Sequence, residues 1–483
     1  MPYTRPARIH SAHWAIILTS SFVLSGCGGS SSNDKPAPPV DTTPFTGELR
    51  GVLTAPNGTS AIPGATVFIP NDGVSPLAFT ASSIHAQGNS GCAEPPVTSL
   101  AWGCTDALGR FSFSIDLPAG STVQLNAVRG AWSMSTQVVL NFASAGVLRF
   151  PASPEDGAAR IAVITGAFDN IENVLAKMGL AEWEEWDGEL PFPIPLAPQM
   201  QALGHGGGTA INFQGYRRLA EPAQVTGDSS TFSSANLSLG SFRPGTETFS
   251  IYDGIYGYED EEGEGDWPEL PDYPSVAELF KPKSLGQPAR IFDYDIVYIN
   301  CGAIEPFDLE DEHGIDDWID TLRAYVSNGG VLYVTDLSSP YITGAFSEYV
   351  YFFSEGDEIE ELTGKVEDTD LHNYLRNSQC MEGSACASAN GNVQLYDFGD
   401  GWHLLAPEPD MQGPQVEKLV TGNVSSYLPF PTGNDPNGLT LAFSHGQGKV
   451  IFSSYHVSGA IVPLPFTAQE RILERLFWVT TGG

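Results

Sequence analysis

The clearest pattern of hydrophobic and polar positions lies between Tyr294 and Ser339. An apolar, β-branched and aromatic run over residues 294–300 predicts a buried strand, and the stretch that follows it is acidic. A helical segment over 315–327 ends at Asn328-Gly329-Gly330, and residues 331–335 predict the next buried strand. Strand, helix and strand in this order predict a parallel β-α-β unit.

The same kind of pattern extends to both sides of this unit. Residues 161–166 predict a buried strand, 170–180 an amphipathic helix, and 248–252 a second strand. Near the C-terminus, residues 439–443 and 450–456 predict a hairpin, and 467–479 predict a last helix. These elements predict a doubly wound α/β domain of flavodoxin-like type over residues 159–483, with large insertions at about 181–245 and 340–438.

Between residues 45 and 153 the pattern changes to short strands separated by turn signals, which predicts an all-β sandwich. One predicted strand contains Pro63-Gly64-Ala65, and a Thr-Asp-x-x-Gly-x-Phe motif follows, in which Asp106 caps a tight turn and Gly109 takes a positive φ. This order of motifs resembles the carboxypeptidase regulatory-like (transthyretin-like) β-sandwich. The resemblance implies a spacer or a binding module, and some relatives bind carbohydrate.

The N-terminus has the features of a targeting segment. Arg5 and Arg8 precede an apolar run over residues 14–23, which is too short for a membrane-spanning helix. The run leads into Leu24-Ser25-Gly26-Cys27, which resembles a bacterial lipobox. The resemblance implies a signal peptide over residues 1–26 and lipidation of Cys27. Because Gly28 follows the cysteine, it also implies the outer membrane. Residues 27–44 are rich in Gly, Ser and Pro and predict a flexible tether.

The other cysteines and the overall charge agree with an exported protein. Cys92 and Cys104 are close in sequence, as are Cys380 and Cys386, and in an exported chain we expect two local disulfides. Neither pair has the CxxC spacing or the nearby histidine of a zinc site. The formal net charge of −36 excludes nucleic acid as a partner and suits calcium or cationic partners.

The order of elements in the C-terminal half, and the run from Gly446 to His456, resemble the class I glutamine amidotransferase-like fold. The resemblance implies that His456 is the family's catalytic histidine. The family's cysteine nucleophile would follow residues 331–335, where Asp336 stands instead, and Ser338 beside Pro340 fits a nucleophile elbow poorly. The family's acidic residue two positions after the histidine is Ser458 here. The domain therefore lacks the catalytic cysteine.

Two other segments carry weaker candidates for catalysis. Cys301 ends a predicted strand at the edge of the sheet where active sites form, although a small buried cysteine is the competing interpretation. His205 and the three glycines that follow it resemble the oxyanion-hole motif of one esterase group, but the chain contains no Gly-x-Ser-x-Gly.

Three acidic clusters, within residues 253–266, 305–317 and 355–368, follow the second, third and fourth predicted parallel strands. Because the carboxyl ends of parallel strands meet at one edge of a sheet, we expect the three clusters to lie together. Hard cations prefer several carboxylate oxygens, so calcium is a possible cofactor, and solvated acidic loops are the alternative. The candidate calcium ligands are Asp308, Glu310, Glu312 and Asp316.

From these features we expect a lipoprotein that is anchored to the outer membrane through the lipid on Cys27. The missing nucleophile favours a non-catalytic role, in which a degenerate amidotransferase-like domain binds an envelope protein, a glycan or calcium. The alternative is an envelope hydrolase that uses His456 with a nucleophile that the sequence does not identify.

Overall fold

A computed structural model describes most of the chain from Pro44 onward. The described residues are 44–71, 92–94, 99–118, 120–140, 144–186, 239–254, 273–304, 306, 309, 315, 317–380, 385–399, 401–408, 416–429, 436–458, 462–463 and 465–480. The signal peptide, the tether, Cys27, the His205 motif and the four candidate calcium ligands Asp308, Glu310, Glu312 and Asp316 lie outside them. Within the described part of the chain, no helix has the length and apolar character needed to cross a membrane.

The N-terminal region consists of seven strands in two sheets. The strands are β1 (Pro44–Thr54), β2 (Thr66–Pro70), β3 (Ser99–Cys104), β4 (Arg110–Pro118), β5 (Thr122–Arg129), β6 (Trp132–Val139) and β7 (Ser144–Arg149). One sheet has the order β4-β1-β7 and the other β3-β2-β5-β6. The turn before β4 forms as expected: the Asp106 carboxylate accepts hydrogen bonds from the backbone N–H groups of Leu108 and Arg110, both at 2.9 Å, and Gly109 has a φ of 68°.

Within the described residues, the second region combines the remaining strands with six helices. The strands are β8 (Ile161–Ile164), β9 (Trp183–Trp186), β10 (Leu239–Phe242), β11 (Ser250–Tyr252), β12 (Ile296–Ile299), β13 (Val331–Thr335), β14 (Val350–Gly356), β15 (Ile359–Val366), β16 (Asn392–Phe398), β17 (Trp402–Pro407), β18 (Glu417–Gly422), β19 (Asn437–His445), β20 (Gly448–Ser453) and β21 (Val462–Pro463). The helices are α1 (Ile171–Lys177), α2 (Ala277–Phe280), α3 (Trp318–Ser327), α4 (Pro340–Ala345), α5 (Thr369–Asn377) and α6 (Ala468–Thr480).

A nine-stranded sheet with the order β11-β8-β12-β13-β20-β19-β18-β15-β16 organises this region. Its first five strands are parallel. If these five strands are numbered by their order in the chain, they lie in the sheet in the order 2-1-3-4-5, which is the flavodoxin-like order. The chain is thus strand-rich, with a flavodoxin-like part after the N-terminal strands. The expected insertion after β13 contributes β15, β16 and β18 to the same sheet, as antiparallel strands.

The expectation for the third acidic cluster is wrong. Residues 355–368 do not form a loop at the carboxyl edge of β13, because they lie mainly on β14 and β15. On β15 the acidic side chains of Glu360 and Glu361 are exposed, while the flanking Ile359 and Leu362 are buried. Their acidity therefore reflects the solvent-exposed face of an antiparallel ribbon. It does not indicate a shared cation site with the other two clusters.

The two regions share one hydrophobic core within one compact unit. Trp132 of β6 packs its ring against Phe477 and Trp478 of α6, with ring centroids 5.8 Å and 5.0 Å away. The Arg129 guanidinium also donates a hydrogen bond to the Trp478 carbonyl at 2.7 Å. The N-terminal strands therefore support the helix that closes the α/β region.

A buried ion pair anchors the N-terminal end of α6. Lys177 of α1 donates to both carboxylate oxygens of Glu470 at 2.7 Å, and neither side chain is more than 1% exposed. Glu470 also accepts from the Thr467 backbone N–H, and the Thr467 hydroxyl accepts from the Glu470 N–H, which forms a capping box. The Ser458 hydroxyl donates to Glu470 at 3.1 Å, so this cap also holds the segment that follows β20.

Candidate functional site

The carboxyl ends of the central parallel strands bring together three side chains that could carry chemistry. Cys301 follows β12, Asp336 follows β13, and His456 lies three residues after β20. All three are buried, with 0%, 1% and 6% of their surface exposed. The sequence named His456 and Cys301 as candidates, and the structure places them beside each other with Asp336 between their strands. This edge of an open α/β sheet is where ligands bind in such folds.

Asp336 occupies the turn that the family resemblance assigned to a nucleophile. It leaves β13 with a φ of 45° and starts the short turn that leads into α4. A non-glycine residue in this left-handed region carries backbone strain, and such residues cluster at functional sites. One oxygen, Oδ1, accepts the backbone N–H of His403 at 2.7 Å. The other, Oδ2, lies 3.2 Å from His456 Nε2.

A second aspartate faces the other nitrogen of the same imidazole. Asp397, near the end of β16, places Oδ2 3.8 Å from His456 Nδ1, and that nitrogen has no hydrogen-bond partner. Asp397 has a φ of 61°. Among the described residues, Asp336 and Asp397 are the only non-glycine residues with a positive φ. Both strained positions in this part of the chain therefore direct a carboxylate at His456.

Gln469, a fully buried residue of α6, holds β16 and the His456 segment in this relation. Its side-chain amide donates to the carbonyls of Tyr396 and His456, both at 2.7 Å. Its carbonyl oxygen accepts the Tyr396 N–H at 3.1 Å. Since Tyr396 directly precedes Asp397, this bridge fixes the position of the Asp397 carboxylate relative to the imidazole.

The segment after β20 is fixed from the opposite side by Asp169, in the loop between β8 and α1. The Asp169 carboxylate accepts the backbone N–H groups of Val457 at 3.1 Å and Ser458 at 2.9 Å. Phe168 lies parallel to the His456 ring, with centroids 6.4 Å apart. Burial raises the pKa of Asp169, and the neighbouring His456 offsets part of that effect.

The pKa values of His456 and Cys301 are both shifted, and the shifts indicate different roles for the two side chains. Burial lowers the pKa of His456, but the Asp336 and Asp397 carboxylates favour the imidazolium, and that pKa lies well above its ordinary value. Burial, assisted by the Asp336 charge, raises the pKa of Cys301 to about 12. Cys301 is therefore a thiol near neutral pH, and a thiol is a poor nucleophile. Its Sγ lies 3.5 Å from Asp336 Oδ2.

Two of the serines near the centre, Ser338 and Ser458, have structural partners. Ser338 donates to the Asn300 carbonyl at 2.7 Å and accepts the Ala303 N–H at 3.3 Å, so it ties β12 to the turn after β13. Ser458 is held by Glu470. Sequence reasoning noted Asp336 only as the residue that stands in place of a cysteine, and it did not identify Asp397 or Asp169. Asp336 could have been recognised as a candidate site residue from its position directly after an apolar strand.

Both expected disulfides are present. Cys92 pairs with Cys104 at a Cα–Cα distance of 5.6 Å, and Cys380 pairs with Cys386 at 5.1 Å. Cys301 is the free cysteine of the described chain.

Neither a protein-family model nor a curated protein sequence matches this chain. Among solved structures, a ThuA-like protein from Bacteroides uniformis is 14% identical and aligns over 39% of this chain and 71% of its own, with a TM-score of 0.27. A glutamine amidotransferase from Thermotoga maritima is 13% identical over 44% of this chain and 65% of its own, with a TM-score of 0.23. An exo-β-1,4-mannosidase from an Opitutaceae bacterium is 14% identical over 44% of this chain and 24% of its own, with a TM-score of 0.21. Because these TM-scores are low, we base the flavodoxin-like assignment on the strand order of the chain itself.

Proposed function

We propose that this chain is a cell-envelope hydrolase that forms a covalent ester on Asp336. The observation that carries the proposal is the pair of left-handed aspartates, one against each ring nitrogen of a buried histidine. In this proposal Asp336 is the nucleophile, His456 the general acid and base, and Asp397 the carboxylate that orients the ring. The chain order of nucleophile, acid and histidine is that of the α/β-hydrolase triad.

In the first step, Asp336 Oδ2 attacks a carbon of the substrate that carries an oxygen leaving group. The new carbon–oxygen bond makes an ester, and the bond between that carbon and the leaving oxygen breaks. The leaving oxygen keeps the electron pair of the broken bond and receives a proton from His456. The His403 N–H on Oδ1 holds the carboxylate so that Oδ2 faces the imidazole.

In the second step, neutral His456 takes a proton from water, and the hydroxide attacks the carbonyl carbon of the Asp336 ester. The tetrahedral intermediate collapses and the alkoxide leaves with its electron pair. It receives the proton of the newly added hydroxyl, relayed by His456, so the carboxylate is restored and His456 ends the cycle protonated. Asp397 stabilises the imidazolium that forms, as the acid of a histidine triad does. One oxygen of water then resides in Asp336 after the first turnover.

The experiment uses phenyl glycidyl ether, an epoxide whose ring opening by a carboxylate gives a hydroxy ester. In His456→Gln the first step loses its proton donor and slows, but the second step lacks its base altogether, so we expect the ester to form slowly and then persist on the peptide that contains Asp336, where peptide mass spectrometry detects it. The matched control is His445→Gln, on the same hairpin, where Nδ1 lies 3.0 Å from the Tyr349 hydroxyl. Labelling of exposed carboxylates with Asp336 unmodified in every variant would contradict the proposal.

The second candidate function is non-catalytic binding at the envelope, and the burial of the centre favours it. Asp336 and Cys301 are at most 1% exposed, which is usual for a structural core. On this alternative the chain is a binding protein for an envelope protein, a glycan or calcium. Equal epoxide reactivity in wild type and in Asp336→Asn would support this second function over the first.

The proposal also includes the family origin of the two regions and the lipid anchor. The position of His456 after the closing hairpin supports a class I glutamine amidotransferase-like origin for residues 159–483, with an aspartate in place of the cysteine. The paired sheets and the Asp106 turn support a carboxypeptidase regulatory-like module over residues 45–153. Anchoring to the outer membrane through Cys27 is supported by the lipobox-like sequence, and metabolic labelling with a palmitate analogue in wild type and Cys27→Ala tests it.

A further inference from the structure

The hydrolytic steps leave Cys301 without a role, although its sulfur lies inside the centre. Cys301, Asp336 and His456 each offer one ligand atom, and these atoms all lie within 4.8 Å of one another. We propose that these three side chains bind a zinc ion, with Cys301 Sγ, Asp336 Oδ2 and His456 Nε2 as ligands and one coordination position left open.

Two of the three distances within the triangle match tetrahedral coordination. Zinc–nitrogen and zinc–oxygen bonds of about 2.0 Å place two such ligands roughly 3.3 Å apart, and an oxygen and a sulfur ligand roughly 3.5 Å apart. The corresponding separations are 3.2 Å between His456 Nε2 and Asp336 Oδ2, and 3.5 Å between Cys301 Sγ and Asp336 Oδ2. The third separation, between Cys301 Sγ and His456 Nε2, is no more than 4.8 Å, compared with roughly 3.5 Å in a tetrahedral zinc site.

The atoms around the triangle supply the outer contacts that metal ligands need. Histidine ligands direct their second ring nitrogen at a carboxylate, and His456 Nδ1, which is buried and lacks a hydrogen-bond partner, faces Asp397 Oδ2 at 3.8 Å. Asp336 Oδ1 is held by the His403 N–H, which orients Oδ2 toward the ion. The Asp397 contact is therefore a second observation, independent of the ligand triangle, that fits a bound metal.

The donor set selects the class of metal. One sulfur, one imidazole nitrogen and one carboxylate oxygen suit zinc or a similar borderline ion, whereas calcium and magnesium require oxygen ligands. A thiolate and a carboxylate together balance the two positive charges of the ion in a buried place. This site differs from the calcium site expected at Asp308, Glu310, Glu312 and Asp316 in both residues and chemistry.

Zinc in this triangle would occupy Asp336 Oδ2 and His456 Nε2, the two atoms that the proposed hydrolysis uses. Under the proposed function, zinc is therefore an inhibitor of ester formation. The metal site itself does not depend on that function, because binding needs only the three ligand atoms.

The experiment measures zinc and cobalt binding by the full-length protein after treatment with EDTA. Calorimetric titration should give one tight zinc site, and cobalt should give a thiolate-to-metal charge-transfer band. Cys301→Ser should abolish the band and weaken zinc binding at least tenfold, and His456→Gln should also weaken it at least tenfold. Asp397→Asn should weaken it by roughly 10- to 100-fold, as loss of an outer carboxylate does elsewhere. The matched control His445→Gln should keep wild-type affinity.

Two results would overturn the metal site. One is a wild-type protein whose cobalt spectrum shows no thiolate band; this measurement needs no variant and is independent of how the variants fold. The other is zinc binding of equal strength in wild type and Cys301→Ser with intact circular dichroism, which would assign the ion to surface carboxylates. Epoxide labelling of Asp336 in metal-free protein is scored separately, so either proposal can fail while the other stands.

Discussion

Two buried ionic groups in this molecule have opposite characters. The Lys177–Glu470 pair is saturated: both carboxylate oxygens receive the ammonium at 2.7 Å, and Ser458 and the Thr467 N–H complete the shell. The Asp336–His456–Asp397 group is looser, with contacts of 3.2 Å and 3.8 Å, an unpaired ring nitrogen and strained backbone at both aspartates. Saturated networks stabilise a fold, whereas unsatisfied and strained groups persist where chemistry needs them. This difference is our reason for proposing a structural role for the first group and a functional role for the second.

The largest effect is expected from breaking the saturated group. Glu470→Gln leaves the Lys177 ammonium without its counter-charge in a buried place and weakens the cap of α6. We expect the free energy of unfolding to fall by about 3–5 kcal/mol, measured by urea denaturation followed through tryptophan fluorescence. The control is Glu182→Gln, which removes an exposed pair with Arg243 and should leave stability unchanged. A loss no larger than that of the control would mean that the buried pair is not structural.

The next effect depends on pH and comes from Glu172 of α1, whose carboxylate accepts the Asn300 amide at 2.9 Å. Burial raises the pKa of Glu172 from 4.5 to about 7, even though hydrogen bonds favour its charged form. Between these values the unfolded chain releases the proton and the native chain keeps it, so stability falls as pH rises, by about 3 kcal/mol in all.

Glu172→Gln should remove this pH dependence, since it keeps the shape of the protonated side chain. We expect the variant to be more stable than wild type at about pH 8 and close to wild type at about pH 4, measured by thermal melts across that range. If wild type and Glu172→Gln instead differ in stability by the same amount at both ends of the range, Glu172 ionises normally in the native protein.

A smaller effect is expected from the carboxylate that orients the imidazole. Asp397→Asn keeps the size of the side chain and removes its charge, so the imidazolium that forms during ester hydrolysis loses its stabilisation. We expect turnover of phenyl glycidyl ether to fall by roughly tenfold or more, while the free energy of unfolding changes by less than about 1 kcal/mol. Turnover equal to that of wild type would remove Asp397 from the mechanism.

The smallest change in stability is expected at the nucleophile itself. Asp336→Asn can retain the hydrogen bond from the His403 N–H, and asparagine tolerates a positive φ. We expect the free energy of unfolding to stay within about 1 kcal/mol of wild type, while epoxide labelling at position 336 is lost. Thermal melts and peptide mass spectrometry of the same preparation check both parts. A stability loss as large as that of Glu470→Gln would make this centre structural as well.

Sequence alone predicted the parallel core because each of its strands is a short apolar run closed by turn residues. It also proposed His456 as a site residue, because this histidine follows such a run directly. It could not point to Asp397, because β16 is four strands away from β20 in the sheet. The folded chain brings the two together through Gln469 and through the packing of Phe398 against Tyr455. It discounted Asp336 because the resemblance directed the search to a cysteine, and the left-handed φ that marks the elbow is a property of the folded chain.

The one measurement that tests the central claim most directly is a first turnover of phenyl glycidyl ether by the wild-type protein in water labelled with ¹⁸O. If Asp336 forms the ester and water attacks its carbonyl, the peptide that contains Asp336 gains one heavy oxygen and the first diol released carries none. If the heavy oxygen appears in that first diol and Asp336 remains unlabelled, water attacks the substrate directly and Asp336 is not the nucleophile.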